Sequence, residues 1–404
     1  MRRLLSFKKL VLGLFVAGSV GLSSCGSSST VAGSSTTVVA STTIAGTTAA
    51  GSTTAAGSTT AAGSTTVAAA GSTSAGTAAG SASTAATSGA KVTLRLGYFP
   101  NITHATALVG VGKGIFADKL GPNVMLKTST FNAGPAAIEA LFADAIDASY
   151  LGPNPAINAW SKSKGRALEI ISGATSGGAL LIVKPAINSA ADLKGKKIAS
   201  PQLGGTQDIA LRSWLKTNGL SSDTTGGGDV SIVPQDNSLT LDAFKSGAID
   251  GAWVPEPWAT RLIQEGGGKV LVDEKTLWPG GKFVTTHLIV ATKFLDAHPD
   301  VVKGLLEGQV AANDFVNKNP EEAQQIANAQ IKAITGKALS DAVIKAAWQN
   351  LTFTNDPIAS SLQANADSAI SAGLLAKVDL TGIYDLGPLN DVLKAAGEPA
   401  VAGP

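Results

Sequence analysis

From Lys91 onward, short β-rich runs alternate with helical patterns, and this alternation restricts the possible architectures more than any other feature of the chain. Residues 92–99 and 124–130 predict the first two strands, and Gly134-Pro135 opens a helix after the second. Later strands are again followed by Gly or Pro and then by a helix. Repeated strand–helix units predict an α/β fold with parallel sheets rather than a helical bundle or a β-sandwich.

The strand–helix order begins a second time near residue 197, which predicts two lobes. A further strand is expected at 287–291, and the chain after Lys293 is predicted to be almost wholly helical. A chain that leaves one lobe, builds a second and returns would cross between them twice, as a two-strand hinge. The predicted bounds are 91–184 and 286–404 for lobe I, 185–285 for lobe II, and 183–188 and 283–287 for the two crossings.

Residues 26–90 contain no charged side chain and consist mainly of Ser, Thr, Ala and Gly. A six-residue pattern at 51–56 recurs at 57–62. Such small residues bury too little apolar surface to offset the entropy of ordering the chain, so we predict a disordered tether. A repetitive β-solenoid is the alternative, but no large residue recurs that would fill its core.

The first 25 residues have the pattern of a bacterial export signal that ends at Cys25, the only cysteine of the chain. Basic residues precede an apolar run that is too short to span a bilayer. Residues 22–25 (LSSC) resemble the lipobox, in which the thiol is acylated and becomes the new N-terminus. We therefore expect an extracytoplasmic protein with a lipid anchor at the membrane, in the periplasm or on the cell surface. A plain secretory signal with an incidental cysteine is the alternative.

Charge and composition argue against several classes of function. The formal net charge is +2, and removal of the four basic residues of the signal leaves 2 − 4 = −2, so no nucleic-acid-binding surface is expected. Three scattered histidines do not predict a metal site, and neither a catalytic motif nor a cofactor-binding motif is found. We therefore expect no enzyme activity, no cofactor and no bound metal.

Six short segments follow one another along the chain after Lys91: 96–101 (LGYFPN), 132–135 (NAGP), 151–154 (LGPN), 191–198 (ADLKGKKI), 204–206 (GGT) and 253–258 (WVPEPW). This ordered series resembles the substrate-binding proteins of ABC importers for nitrate, taurine and aliphatic sulfonates. The resemblance implies a two-lobed periplasmic-binding-protein type II fold and a small organic anion as ligand. It also implies an ABC permease with its ATPase as partners, and a monomer is expected. Some relatives bind or form thiamine-precursor pyrimidines, the latter with a cysteine-rich motif that this chain lacks, so a heterocycle or an enzyme on the same fold is the alternative.

Five strand-to-helix junctions contain glycine, proline or small polar residues: 100–104, 133–136, 152–155, 204–207 and 255–258. Free backbone N–H groups and the positive end of the helix dipole bind oxyanions without a full positive charge. An ordinary tight turn is the alternative at each junction. We favour an organosulfonate, with taurine, nitrate and a neutral heterocycle left open.

Several side chains near these junctions have two interpretations. His104 is a ligand donor or a cap of its own helix, and Trp253 and Trp258 form an aromatic wall or belong to the core. Glu256 is a candidate partner for a cationic end of the ligand. The full set of candidate ligand-binding residues is Asn101, His104, Gly134, Pro135, Tyr150, Gly152, Pro153, Asn154, Ser176, Gly178, Gly205, Thr206, Gln207, Trp253, Glu256 and Trp258.

Overall fold

Two β-sheets organise residues 91–403, the part of the chain that the computed structural model describes. The predicted signal peptide, the lipidation site Cys25 and the predicted tether lie outside these residues. The strands are β1 Val92–Tyr98, β2 Val124–Thr130, β3 Ala148–Leu151, β4 Leu168–Gly177, β5 Ala179–Val183, β6 Lys197–Ser200, β7 Ser231–Pro234, β8 Gly251–Pro255, β9 Lys269–Asp273, β10 Val284–Ala291 and β11 Leu351–Phe353.

Helices follow most strands, and several of them begin with proline in the first two positions, where its missing N–H removes no intrahelical bond. Gly247, Gly336 and Gly397 end three helices in the left-handed conformation that glycine adopts without strain. The helices are α1 Ala105–Gly112, α2 Ile115–Leu120, α3 Gly134–Phe142, α4 Pro153–Ser163, α5 Thr206–Thr217, α6 Asn237–Ser246, α7 Trp258–Gln264, α8 Thr292–Ala297, α9 Pro299–Lys318, α10 Pro320–Thr335, α11 Asp341–Trp348, α12 Leu362–Ser371 and α13 Gly387–Ala396.

The first sheet has the strand order β11-β4-β10-β3-β1-β2, and the second has the order β7-β6-β8-β5-β9. Strand β1 is parallel to β2 and β3, and β6 is parallel to β7 and β8. However, β10 is antiparallel to β3 and β4, and β5 is antiparallel to β8 and β9. The α/β class is confirmed, but the sheets are mixed rather than purely parallel, because strands that arrive from the other sheet enter in the reverse direction.

The chain passes between the sheets twice, as a two-strand connection requires. The first passage lies between β4 and β5, at Gly177 and Gly178, whose φ angles of +80° and +72° favour glycine. We expected this passage near 183–188, but β5 already pairs with β8 and β9 of the second sheet. Apolar patterning predicts a strand without identifying the sheet that receives it, so the expected passage falls one strand too late. The second passage precedes β10, which begins at Val284, within the expected region.

The second sheet is buried on both faces. Trp253 of β8 packs on one face with Leu181, whereas its neighbours Ala252 and Val254 pack on the other face with Phe244. Successive side chains of a strand point to opposite faces, so the two clusters alternate along β8. This alternation places the Trp253 ring inside the core of the second sheet.

The chain after Lys293 is not wholly helical. Strand β11 follows α11 and pairs antiparallel with β4. Helix α12 begins only at Leu362, because Pro357 and the left-handed Ile358, with φ +49°, do not fit a regular helix.

Candidate ligand-binding site

A cavity of about 30 Å³, here named the central cavity, lies where strands of both sheets end and helices begin. The first sheet contributes residues that follow β1, β2 and β3, and the second contributes residues that follow β6, β7 and β8. The carboxyl ends of parallel strands meet at one edge of a sheet, so junctions distant in sequence come together there. The lining residues are Phe99, Asn101, Thr103, His104, Asn132, Ala133, Gly134, Gly152, Pro155, Pro201, Gly205, Thr206, Gln207, Asn237, Pro255, Thr285 and Thr286.

The structure brings together part of the predicted set. The predicted residues that line the central cavity are Asn101, His104, Gly134, Gly152, Gly205, Thr206 and Gln207. The predicted residues that do not line it are Pro135, Tyr150, Pro153, Asn154, Ser176, Gly178, Trp253, Glu256 and Trp258.

Four helices begin at the central cavity. Two of them follow strands of the first sheet, and two follow strands of the second. The N-caps of helices α3, α4, α5 and α6 are Ala133, Gly152, Gly205 and Asp236. In none of them does the cap's side chain accept a hydrogen bond from a backbone N–H of the helix. The first N–H groups of a helix have no intrahelical partner, and the helix dipole makes this end positive. The cavity is therefore surrounded by positive helix ends without full charges.

Helix α5 presents more of these donors than α4 does. Its first two residues, Thr206 and Gln207, carry N–H groups, line the cavity and are almost fully buried. In α4 the first and third residues are Pro153 and Pro155, which have no N–H to offer. Of these two helices, α5 therefore offers the more backbone donors to a ligand.

A buried ion pair holds the turn before α5. Asp208 accepts hydrogen bonds from Ser200 Oγ at 2.7 Å and from Gly204 N at 3.0 Å, and Arg212 Nε lies 2.9 Å from its carboxylate. Both charged side chains are at most 3% exposed. Arg212 is thus committed to Asp208 and is not among the cavity residues. The pair fixes the turn that delivers the α5 N-terminus.

Among the cavity residues of the described chain, His104 is the one with a titratable side chain, and it is held neutral. The cavity lining therefore carries no charged side chain. Burial lowers the pKa of His104 to about 3. Its Nδ1 accepts a hydrogen bond from Phe99 N at 3.3 Å, so the ring proton resides on Nε2. His104 also occupies the N-cap position of α1, but its side chain makes no capping bond, which disfavours the capping interpretation.

Polar contacts and close packing join the two sides of the cavity. Trp258 Nε1 donates to Asn101 Oδ1 at 2.8 Å, and Asn132 Nδ2 donates to Asp236 Oδ1. Gly152 faces Thr206 so closely that a Cβ added at Gly152 would overlap Thr206 Oγ1. Two predicted residues, Gly152 and Thr206, therefore meet across the cavity.

Trp253 and Glu256 do not form the expected aromatic wall and ionic contact. Trp253 is fully buried, and its Nε1 donates to Glu274 Oε2 at 2.8 Å. Glu256 is also fully buried and accepts hydrogen bonds from Thr260 N, Thr260 Oγ1 and Asn350 Nδ2 at 2.6 to 3.0 Å. Both side chains have protein partners because each belongs to the interior, so they are corrected to structural positions.

Tyr150 and Asn154 are likewise directed away from the cavity. Tyr150 Oη donates to Gln309 Oε1, and Asn154 Nδ2 donates to the carbonyl of Asn365 at 2.9 Å. The two residues flank the cavity residue Gly152 in sequence, but strand and helix geometry turns their side chains away from the cavity.

Sequence reasoning missed lining residues on α6 and β10. Asn237 is the first residue of α6 and directly follows the β7 junction, which lacks the glycine that marked the other junctions. Thr285 and Thr286 lie within β10, and no local signal distinguishes them from other strand threonines. A search of every strand-to-helix junction, whatever its composition, would have found Asn237.

Neither a membrane-spanning helix nor a metal-binding cluster is present among residues 91–403. They contain no helix that is both long and apolar enough to cross a membrane. The same residues contain no group of three or more His, Cys, Asp or Glu side chains arranged to hold a metal ion.

A sequence profile described as the NMT1-like family matches residues 87–331, more than half of the chain. The chain belongs to the NMT1-like family. This NMT1-like chain is 29% identical over 261 residues to a provisionally named binding protein of Brucella abortus. The aligned region covers 62% of this chain and 77% of the relative. It is 28% identical over 215 residues to the taurine-binding periplasmic protein of Escherichia coli, and the aligned region covers 53% of this chain and 64% of that protein. Other relatives are named for aliphatic sulfonates and for nitrate and nitrite.

The alkanesulfonate-binding protein of Xanthomonas axonopodis pv. citri, solved with bound MOPS, has the same fold as this NMT1-like chain. The TM-score is 0.59 at 21% sequence identity, with 72% of this chain and 96% of that chain covered. The predicted periplasmic-binding-protein fold is therefore confirmed, as is the predicted relationship to the taurine, sulfonate and nitrate group. The named relatives are binding proteins rather than enzymes.

Proposed function

We propose that this chain is the extracytoplasmic solute-binding lipoprotein of an ABC importer, which captures a small organic anion in the central cavity and delivers it to a permease. The proposal treats the two sheets with their helices as two lobes, and takes Cys25 as the lipidated residue that anchors the protein to the membrane. It excludes catalysis as the function of the cavity.

The observation that carries the proposal is the convergence of four helix N-termini, from both sheets, on a cavity lined without charged side chains. A hydrogen bond to a charged oxygen contributes about 1.5–3 kcal/mol, and a helix N-terminus adds about 0.3–1 kcal/mol. Two N–H bonds from α5, with the four dipoles, offset the dehydration of an anion by several kcal/mol. Backbone donors therefore suffice where no lining arginine or lysine is present.

Ligand-coupled closure fits the contacts between the two sides. The Trp258–Asn101 and Asn132–Asp236 hydrogen bonds join elements of different sheets beside the cavity. A ligand that touches donors of both lobes would favour this closed arrangement by the difference in its affinity for the closed and open states. A closed complex of this kind is the form that a permease can distinguish from the free protein.

The nature of the donors can be tested at Thr206. Thr206→Pro removes the first N–H of α5, and proline is tolerated there because Gly205 has an extended conformation, with φ −73° and ψ 168°. Thr206→Ala is the matched control, since it removes the hydroxyl but keeps the N–H. Calorimetry with an alkanesulfonate, taurine, nitrate and a pyrimidine should give at least tenfold weaker binding of the preferred anion in the proline variant than in the alanine variant.

Equal affinities of the two Thr206 variants would contradict backbone donation. Preferred binding of the neutral pyrimidine would contradict the anion assignment, and recovery of a chemically altered ligand would contradict a pure binding role.

For the anchor, Cys25→Ser should shift the exported protein from the membrane fraction to the soluble fraction. Retention of this variant at the membrane would exclude lipidation of Cys25 as the anchor.

A further inference from the structure

Helices α5 and α12 belong to different sheets and lie against each other. Leu211 and Leu215 of α5 pack in the core of the second sheet, whereas Leu362 and Ala366 of α12 pack in the core of the first. The two passages of the chain between the sheets lie elsewhere, at Gly177–Gly178 and before β10. The contact between α5 and α12 is therefore held by noncovalent interactions alone.

Two hydrogen bonds join these helices. Ser213 Oγ donates to Ser368 Oγ at 3.3 Å, and one turn later Lys216 Nζ donates to the carbonyl of Ser371 at 2.9 Å. Both pairs are separated by 155 residues, so the two helices run side by side in the same direction. Ser371 is the last residue of α12, so the Lys216 ammonium group lies at the negative end of that helix dipole.

The α5–α12 contact has the polar character of surfaces that separate and meet again. Ser213 and Ser368 are half-buried, and Lys216 and Ser371 are exposed. A groove of about 410 Å³ borders the contact and is lined by residues of both lobes, among them Lys216, Ser221 and Ser371. Surfaces between domains that move are more polar than permanent ones, because their polar groups bind water again when they part.

Helix α5 connects this contact to the central cavity. Its first two residues, Thr206 and Gln207, line the cavity, whereas Lys216 lies ten residues after Thr206, about 15 Å along the helix axis. A small anion at the start of α5 therefore does not touch Lys216. Because a helix moves as a rigid element, a movement that brings the start of α5 onto a ligand also brings Lys216 onto Ser371.

We propose that the α5–α12 contact forms when the two lobes close and that it strengthens the binding of every ligand by the same factor. An interaction present only in the closed state shifts the equilibrium toward that state and lowers the apparent dissociation constant. The ligand takes no part in this interaction, so selectivity is left to the cavity. This inference rests on the proposed function and adds Lys216 as a residue that sets affinity from a distance.

Lys216→Met tests the remote role, because it removes the hydrogen bond and keeps most of the alkyl chain. Lys245→Met is the matched control, since Lys245 has the same last-turn position in α6 of the same lobe. Calorimetry with ethanesulfonate, taurine and nitrate should give dissociation constants about three- to tenfold higher in Lys216→Met than in the control, by one common factor. The melting temperatures of the two ligand-free variants should agree, since the open state lacks the contact.

Equal affinities of the Lys216→Met and Lys245→Met variants would overturn the contribution of the contact. A changed ranking of the three anions would place Lys216 at the binding site and would also overturn the inference. Failure of all three anions to bind would contradict the anion assignment of the proposed function, and closure at α5 and α12 is then decided by a measurement that needs no ligand.

That measurement uses the full chain with Ser213→Cys, Ser368→Cys and Cys25→Ser, which leaves no other thiol because Cys25 is the only native cysteine. Oxidation should join α5 to α12 and hold the lobes closed. The radius of gyration from small-angle X-ray scattering of the ligand-free protein should therefore fall on oxidation and rise again on reduction. An unchanged radius of gyration would show that the helices never part, and failure to form the disulfide would contradict the contact itself.

Discussion

Gly152→Ala tests whether ligand binding depends on close approach of the two sheets. The backbone of Gly152 has φ −78° and ψ 167°, which alanine adopts without strain, so the substitution does not disturb the local fold. A Cβ at this position would, however, overlap Thr206 Oγ1 and lie 3.1 Å from Thr206 Cβ and 3.3 Å from the carbonyl oxygen of Thr285. The added methyl group therefore crowds Thr206, across the cavity, more than it crowds Thr285 of its own sheet.

Where the Thr206 side chain keeps its rotamer, relief of this overlap moves the α5 N-terminus away by about 1 Å, which lengthens hydrogen bonds of about 2.9 Å beyond their useful range. Loss of two N–H bonds to a charged oxygen, at about 1.5 kcal/mol each, costs about 3 kcal/mol. We therefore expect the ligand dissociation constant to rise about 100-fold, since each 1.4 kcal/mol corresponds to a factor of ten.

Calorimetry with the preferred anion measures this change, and Gly387→Ala provides a matched control. A Cβ at Gly387 would lie 3.6 Å from its nearest neighbour, Asp385 Oδ1, so this control should bind normally. The double variant Gly152→Ala with Thr206→Ala should recover part of the affinity, because the overlapping hydroxyl is gone. Unchanged affinity in Gly152→Ala, or no recovery in the double variant, would refute contact between these residues as a condition of binding.

Two further predictions concern Trp253 and its partner. Burial raises the pKa of Glu274 from 4.5 to about 7. Between these pH values the folded state therefore retains a proton that the unfolded state releases. The free energy of unfolding should fall as pH rises from about 4.5 through 7. Urea unfolding at pH 4.5 and pH 8 measures the difference in the free energy of unfolding between the two pH values, and Glu274→Gln should reduce this difference by about 3 kcal/mol. An unchanged difference would contradict the raised pKa of Glu274. Trp253→Phe should lower the free energy of unfolding by about 1–3 kcal/mol, because Glu274 loses a donor, while ligand affinity stays within twofold. A tenfold loss of affinity would return Trp253 to the binding site.

Local patterns in the sequence were sufficient for the elements that meet at the cavity. The bounds of β2 agree with the predicted strand, and β1 ends one residue before its predicted end, because each is a short run rich in apolar and β-branched residues that precedes a turn. The helix starts at Gly134 and Thr206 were predictable from the turn residues that precede them. These signals depend only on neighbours in the chain.

Features that depend on tertiary packing could not be predicted in the same way. Trp253 was assigned to the cavity because it precedes a junction, whereas the alternation of side chains along β8 turns it toward Trp214 and the core. Strand β5 was assigned to the first lobe because nothing in its sequence identifies its partners. Asn237 was overlooked since its junction lacks glycine, and it meets the other lining residues only once the strand ends of both sheets come together.

The passage at Gly177–Gly178 also has a consequence for the order of events during capture. Thr285 Oγ1 donates to the carbonyl of Gly177 at 2.6 Å, so this cavity residue is attached directly to one of the two connections between the sheets. Points beside a pivot travel least when the bodies on either side rotate. A solute that enters an open molecule would therefore meet Thr285 close to the position that this residue holds in the closed one.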